Sequence, residues 1–285
     1  MIPFFPKQIA FRAIIVYVLA LLAVSIAYNS YSMSLVYITL GITFAGGFFL
    51  ISSYLTKEWR NIDTRAFVRY LWLTALFLRL VWVIASYFFY TKATGIPFEF
   101  GAADSIGYHD EAEWLAGESW HYILDYYFGV GSIGVSDVGY PLYLTALYRF
   151  VGPSVLIPRF IKAFLSTFTC YLIYKISSRT FGEETGRMAG IMAVLMPNLI
   201  IYCGYHLKET EMIFLEVAFL ERLDYLIRNR RYSLISILIP SILAGSLFLF
   251  RTVLGASAVF AFATTILVSS VQTMKHNKRR LALIG

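Results

Sequence analysis

Charge is scarce in this sequence. Asp, Glu, Lys and Arg fill 14% of its 285 positions, against about a quarter in soluble globular domains. That scarcity excludes a soluble domain of this length. Cysteine is scarcer still. Cys170 and Cys203 both fall in apolar runs, which leaves no disulfide framework and no metal motif. Both read as small buried apolar residues. There is no internal repeat and no low-complexity segment. Walker loop, dinucleotide fingerprint and nucleophilic triad are all missing as well.

Apolar sequence fills the space instead. Hydrophobic residues make up 59% of the chain, and several runs approach or exceed the roughly 20 residues that cross a bilayer as a helix. Most of these runs lack the polar stripe of a soluble core helix. The pattern predicts an all-α fold, a polytopic transmembrane helical bundle. Its eight spans are expected at residues 10–28, 34–55, 67–90, 154–176, 187–205, 208–227, 232–250 and 253–272. Many of the 24 Phe, 21 Tyr and 5 Trp sit near the ends of these runs, where aromatic rings favour the membrane–water interface. The first run is long enough to stay as a span rather than be cleaved as a signal peptide.

The bases orient the spans. Lys7 and Arg12 open the first; Lys57, Arg60 and Arg65 follow the second; Lys175, Arg179 and Arg187 follow the fourth. Arg228, Arg230 and Arg231 follow the sixth, and Lys275, Lys278, Arg279 and Arg280 the eighth. All five clusters fall on one face, so the positive-inside rule makes both termini cytoplasmic in an inner (plasma) membrane. The net charge of +7 thus reports topology. It is spread over short loops, with no docking surface for nucleic acid.

One connection stands out. Residues 91–153 carry the acids Glu99, Asp104, Asp110, Glu111, Glu113, Glu118, Asp125 and Asp137 against two bases, Lys92 and Arg149. Long connections are usually functional or disordered, and the aromatics here argue against disorder. From Asp104, the residues Tyr108, Ala112 and Leu115 recur at helical spacing, so a short amphipathic helix begins near Asp104. Asp104 suits a helix cap there, and the dipole of a helix start favours a carboxylate.

The run Asp104-Ser105-Ile106-Gly107-Tyr108-His109, then Gly139-Tyr140-Pro141-Leu142, Phe181-Gly182 and Pro197, resembles the polytopic glycosyltransferases of the GT-C fold. That group includes protein O-mannosyltransferases and lipid A aminoarabinose transferases. The resemblance covers residues 67–255. Family members place the acidic loop after their first span, so it implies a core of residues 67–285, with outer catalytic loop 91–153, preceded by a two-span addition at 1–66. It also implies a donor, a polyprenyl-phosphate sugar, and a glycan, lipid or protein acceptor among membrane lipids. Asp104 would then be the general base in an inverting transfer.

A departing lipid phosphate needs cations. Lys208, Arg251 and Arg159 are the candidates, with Lys162 beside Arg159; each also suits simple snorkelling to headgroups. Glu209 is the second candidate acid, either binding acceptor or holding a divalent cation with Asp104. A divalent cation there is the one candidate cofactor, and no cofactor is certain from the sequence. Otherwise Glu209 is a helix-start acid paired with Lys208. Tyr108, His109 and Tyr140 are candidates for the substrate pocket. A metal site of His109 with Asp110 or Glu113 lacks a metal-binding signature, and those acids read first as a solvated helix face. Glu216 deep in the sixth span is expected to pair structurally with Arg79 in the third. Two other classes compete with the enzyme: a transporter or flippase of lipid-linked glycans, and a non-catalytic assembly partner. A glycan polymerase of the outer face is a related enzyme reading.

Overall fold

A computed structural model describes residues 4–28, 35–129, 136–229 and 233–282. Arg230, Arg231 and the side chains of Lys275, Lys278, Arg279 and Arg280 lie outside the described residues. The described residues are helical and contain no strand, as the apolar periodicity predicts. In chain order the helices are α1 (Lys7–Ala27), α2 (Leu35–Glu58), α3 (Thr64–Thr94), α4 (Ala103–Ala116), α5 (Trp120–Phe128) and α6 (Gly139–Val151). They continue with α7 (Leu156–Phe181), α8 (Glu183–Leu195), α9 (Pro197–Ile201), α10 (Glu209–Asn229), α11 (Leu234–Phe250) and α12 (Thr252–Ala282). Single 3-10 turns follow α2 at Trp59–Asn61 and α9 at Tyr202–Gly204.

Among the described residues four helices are long and apolar enough to cross a membrane: Lys7–Ala27, Ile38–Asn61, Thr64–Thr94 and Leu156–Phe181. A fifth arises if α8 and the following Pro197–Gly204 segment form one span, bent by 53°. The remaining three expected spans do not pass that test. Helix α10 carries Glu209, Glu211, Glu216, Glu221, Arg222, Asp224 and Arg228, which make it too charged. Helix α11, at 17 residues, reaches only about 25 Å at 1.5 Å per residue, and the apolar part of α12 ends at Leu267.

Two compact units divide the chain, Met1–Trp82 with Ser166–Cys203, and Val83–Leu165 with Gly204–Gly285. In the first unit Phe67, Leu71, Ala75, Cys170, Tyr174, Ile191, Ala193 and Val194 form one apolar core. Two buried arginines border it, and both serve backbone carbonyls.

Pro197 has no N–H, so the carbonyl of Ala193, four residues earlier, has no helical partner. Arg79 is fully buried and supplies one. Its guanidinium donates to Ala193 O (3.4 Å), Val194 O (3.3 Å) and Ala75 O (3.1 Å), and to Ser166 Oγ (2.7 Å) and Cys170 Sγ (3.0 Å). The break between α8 and α9 is closed further by Ser166 Oγ donating to Leu199 O (2.8 Å) and Trp82 Nε1 to Ile201 O (3.0 Å). This corrects the expected pairing of Arg79 with Glu216. Arg79 spends its donors on the broken helix, and Glu216 is exposed on α10.

Arg187 does the same for the turn between α2 and α3. It donates to the carbonyls of Trp59 (3.1 Å), Arg60 (3.1 Å) and Ile62 (2.6 Å), to Thr64 Oγ1 (3.1 Å) and to Glu183 Oε1 (2.9 Å). Its guanidinium also covers the Phe67 ring at 4.9 Å.

In the second unit, α4 packs on α6, and α10, α11 and α12 pack on one another. Ala112, Tyr140, Leu144, Tyr148, Met212 and Phe250 form the core that joins them. Helix α6 meets the end of α11 at Gly139, where a Cβ would lie 2.6 Å from Phe250 Cδ2. Segment 91–153, expected as a loop with short amphipathic helices, is built mainly of α4, α5 and α6.

Close backbone approach in the first unit depends on Gly186, where a Cβ would lie 2.5 Å from Ser178 Cβ and 2.7 Å from its Cα. Overpacking of this kind costs about 1–3 kcal/mol. Gly186→Val is expected to lower the thermal unfolding midpoint of the detergent-purified protein. Gly46→Val, where nothing lies within 4 Å, is the control and is expected to change it little.

Candidate functional site

Two helix starts in the second unit carry the acids. Asp104 lies in the first turn of α4, as its periodicity predicts, but the cap residue is Ala102 and no side chain caps the helix. Asp104 is exposed, so its carboxylate is open to a ligand rather than spent on backbone. Glu209 and Glu211 occupy the first turn of α10. Such positions suit carboxylates because unsatisfied N–H groups give a helix start partial positive charge.

Tyr108, one turn beyond Asp104, ties these elements together. Burial raises the affinity of its phenol for the proton, the charges of Asp104, Glu209 and Glu111 raise it further, and Arg251 opposes them. Lys208 lies in the same field, acted on by Glu209, Arg251 and Asp104. Its ammonium pairs with Asp137 and lies 5.9 Å from the centre of the Tyr108 ring. Five of the expected residues therefore converge: Asp104, Tyr108, Lys208, Glu209 and Arg251. They come from α4, from the start of α10 and from the cap of α11 at Arg251.

The other three lie in a buried polar layer. Arg159 is fully buried and donates to Pro97 O at 2.6 Å, while its Nε and Nη1 have no hydrogen-bond partner among the described residues. Tyr140 is also fully buried. Its ring packs edge-on against Tyr108 at 5.2 Å and lies 6.0 Å from His206. It supports Tyr108 from below rather than lining an open pocket. His109 Nδ1 lies 2.7 Å from Tyr148 Oη, which lies 3.1 Å from His206 Nε2. The other face of His109, Nε2, is 3.9 Å from Glu113.

Lys162 anchors this layer. Its ammonium donates to Tyr205 O at 2.9 Å and to Leu207 O, the carbonyls that lead into α10. It stands 3.7 Å from Glu211 Oε2 and 4.8 Å from the centre of the Tyr140 ring. By holding the linker before α10, it fixes where Lys208 and Glu209 emerge. Lys162 is fully buried, so of its two expected positions it does not take the one that snorkels to headgroups.

Asp137, Glu211, His206 and Tyr148 are the participants that residue patterns did not single out. Glu211 had a visible signal, as a second acid two residues past Glu209. His206 and Tyr148 had none, because their partners lie 58 positions apart in the chain. No group of three or more His, Cys, Asp or Glu placed to hold a metal ion occurs among the described residues. Comparison with family models, with curated proteins and with solved structures gave no match.

Two tests probe this construction. Removing one partner of a buried ion pair costs roughly 3–5 kcal/mol. Lys162→Met alone is therefore expected to destabilise strongly, and Lys162→Met with Glu211→Leu to recover part of the loss, the carbonyls of Tyr205 and Leu207 remaining unpartnered in both, read by thermal unfolding. Equal loss in the single and double variants would contradict the pairing.

The second test is pH. Burial, followed by the charges of Lys162, Arg159 and His109, holds the His206 imidazole down at about 2. Burial also lowers His109, with Arg159 adding to it, against Glu113 and Asp110. Burial raises Glu111, partly offset by its bond from Tyr127, and that acts in the opposite sense. Below about pH 6.5 the unfolded chain protonates its histidines while folded His206 stays neutral. The stability that neutral His206 contributes is present above that pH and is lost as pH falls, by up to about 1.4 kcal/mol per pH unit. The drop in unfolding midpoint between pH 7.5 and 5.0 is expected to shrink in His206→Gln.

Proposed function

We propose that this chain is an inner-membrane glycosyltransferase of the GT-C kind, with eight spans, both termini cytoplasmic and α4 to α6 at the outer face. It transfers a sugar from a polyprenyl-phosphate donor to a glycan, lipid or protein acceptor. The observation that carries the reading is the grouping of Asp104 and Tyr108 on α4 with Lys208 and Glu209 at the start of α10 and Arg251 at the end of α11, Lys208 lying 5.9 Å from the centre of the Tyr108 ring. Exposed carboxylate and paired cations are what the reaction needs on opposite sides of an anomeric carbon.

In this reading Asp104 accepts the proton of the acceptor hydroxyl as its oxygen attacks the anomeric carbon. The bond from that carbon to the phosphate oxygen breaks, and its electron pair leaves on the phosphate. Attack from the face opposite the leaving group inverts the configuration. Lys208 and Arg251 stabilise the departing phosphate, Arg by a bidentate fork and Lys as a point charge. Glu209 orients the acceptor or shares a divalent cation with Asp104. Arg159 and Lys162, both buried, act as positioning residues for the linker and for Tyr140.

A second reading, transport of a lipid-linked glycan, is favoured by one feature: the 53° break between α8 and the Pro197–Gly204 segment. Broken helices are common at transporter substrate sites. Here the carbonyls freed by the break are taken up by Arg79, which favours a structural break.

The deciding experiment is sugar transfer by the reconstituted protein, offered a panel of polyprenyl-phosphate sugars and a membrane glycan extract. Asp104→Asn is expected to lose roughly 10²–10⁴-fold in rate, the contribution of a general base, while inserting normally. Lys208→Ala and Arg251→Ala are each expected to weaken donor binding by roughly ten- to a hundredfold, the worth of one charge-assisted hydrogen bond. Undiminished transfer by Asp104→Asn would move the base elsewhere. Binding of the lipid-linked sugar without transfer by the wild type would favour transport.

A further inference from the structure

A cleft of about 370 Å³ opens in the first unit, lined by Thr56, Arg60, Asn61, Glu183, Glu184, Arg187 and Met188. Its volume lies within the roughly 300–1,000 Å³ of small-ligand sites. The floor is rigid. Arg187 holds three carbonyls of the turn between α2 and α3, and Glu183 is committed to Arg187 at 2.9 Å and to Tyr174 Oη at 3.0 Å. Thr56 is buried and accepts from Phe5 N at 3.0 Å.

The remaining polar groups are uncommitted. Arg60 lies over the Phe4 ring at 5.7 Å and has no anionic partner among the described residues. Glu184 is exposed and has no cationic partner among the described residues. The two line the same cleft without pairing with each other. A cleft with one free cation and one free anion complements a ligand that carries both charges at short separation.

Its position names the source. Asn61 closes one candidate span, Thr64 opens the next, and Phe181 closes a third just before Glu183. Three span ends at one cleft put it at headgroup level. We propose that this cleft binds the phosphoethanolamine headgroup of a phospholipid, with Arg60 and Asn61 on the phosphate and Glu184 on the ammonium. Glu184 repels a purely anionic headgroup such as phosphoglycerol. A choline headgroup offers it no N–H donor. The site is separate from the glycosyltransferase reading, and its test does not use activity.

The test is native mass spectrometry of the delipidated full-length protein with short-chain phosphatidylethanolamine, phosphatidylcholine or phosphatidylglycerol. The wild type is expected to retain phosphatidylethanolamine about tenfold better than either of the others. Glu184→Gln should lose that preference while still binding lipid, and Arg60→Gln should weaken all three about tenfold. Both side chains are exposed, and matching unfolding midpoints would confirm that the variants fold. Soluble phosphoethanolamine at millimolar concentration should compete, and phosphoglycerol should not. Retention of soluble phosphoethanolamine with no lipid would keep the chemistry but place its source in solution. No headgroup preference in the wild type, or the same preference in both variants, would overturn the proposal.

Discussion

An unpartnered backbone carbonyl in an apolar interior costs free energy comparable to a lost hydrogen bond, and this chain meets that cost with buried cations. Arg79 takes the carbonyls released by Pro197, Arg187 takes those of the turn between α2 and α3, and Lys162 takes those of Tyr205 and Leu207. Arg159 does likewise for Pro97. Each cation stands where a helix has stopped and the chain must turn. In a sequence so poor in charge, such placement is selective. The buried bases are joints of the fold before they are anything else.

The same joints position the candidate site. Because Lys162 fixes the linker into α10, Lys208 and Glu209 leave it in a defined direction, and Tyr140 beneath them braces Tyr108. Of these charged groups Asp104 and Arg251 are exposed, while Lys208 and Glu209 are half-buried. Asp104 is available because Ala102, not Asp104, caps α4. A carboxylate that capped its helix would have been partly spent.

Local pattern made much of this legible. Apolar runs located α1, α2, α3 and α7, and the spacing of Tyr108, Ala112 and Leu115 located α4 with Asp104 in its first turn. Gly139 does open α6, and Gly182 does sit in the turn after α7, where its positive φ of 93° suits glycine. At α10 run length alone does not meet the length-and-composition test for a span, because its apolar residues share a helix with Glu216, Glu221, Arg222 and Asp224. Partners that lie far apart in the chain were illegible for a plain reason. Periodicity reports which face a residue occupies, and not what faces it. Arg79 was read as needing an acid when its partners were carbonyls, and the contact between His206 and Tyr148 left no mark in either neighbourhood.

On the proposed function, a lipid-phosphate sugar sits at the two helix starts that carry Asp104 and Glu209. Photolabelling of the reconstituted protein with a polyprenyl-phosphate sugar bearing a diazirine on the sugar tests it most directly, with the labelled peptides identified by mass spectrometry. The account predicts label on peptides that contain Tyr108 or Lys208, competed away by unlabelled donor. Competable label confined to other helices, with none at these two, would contradict it.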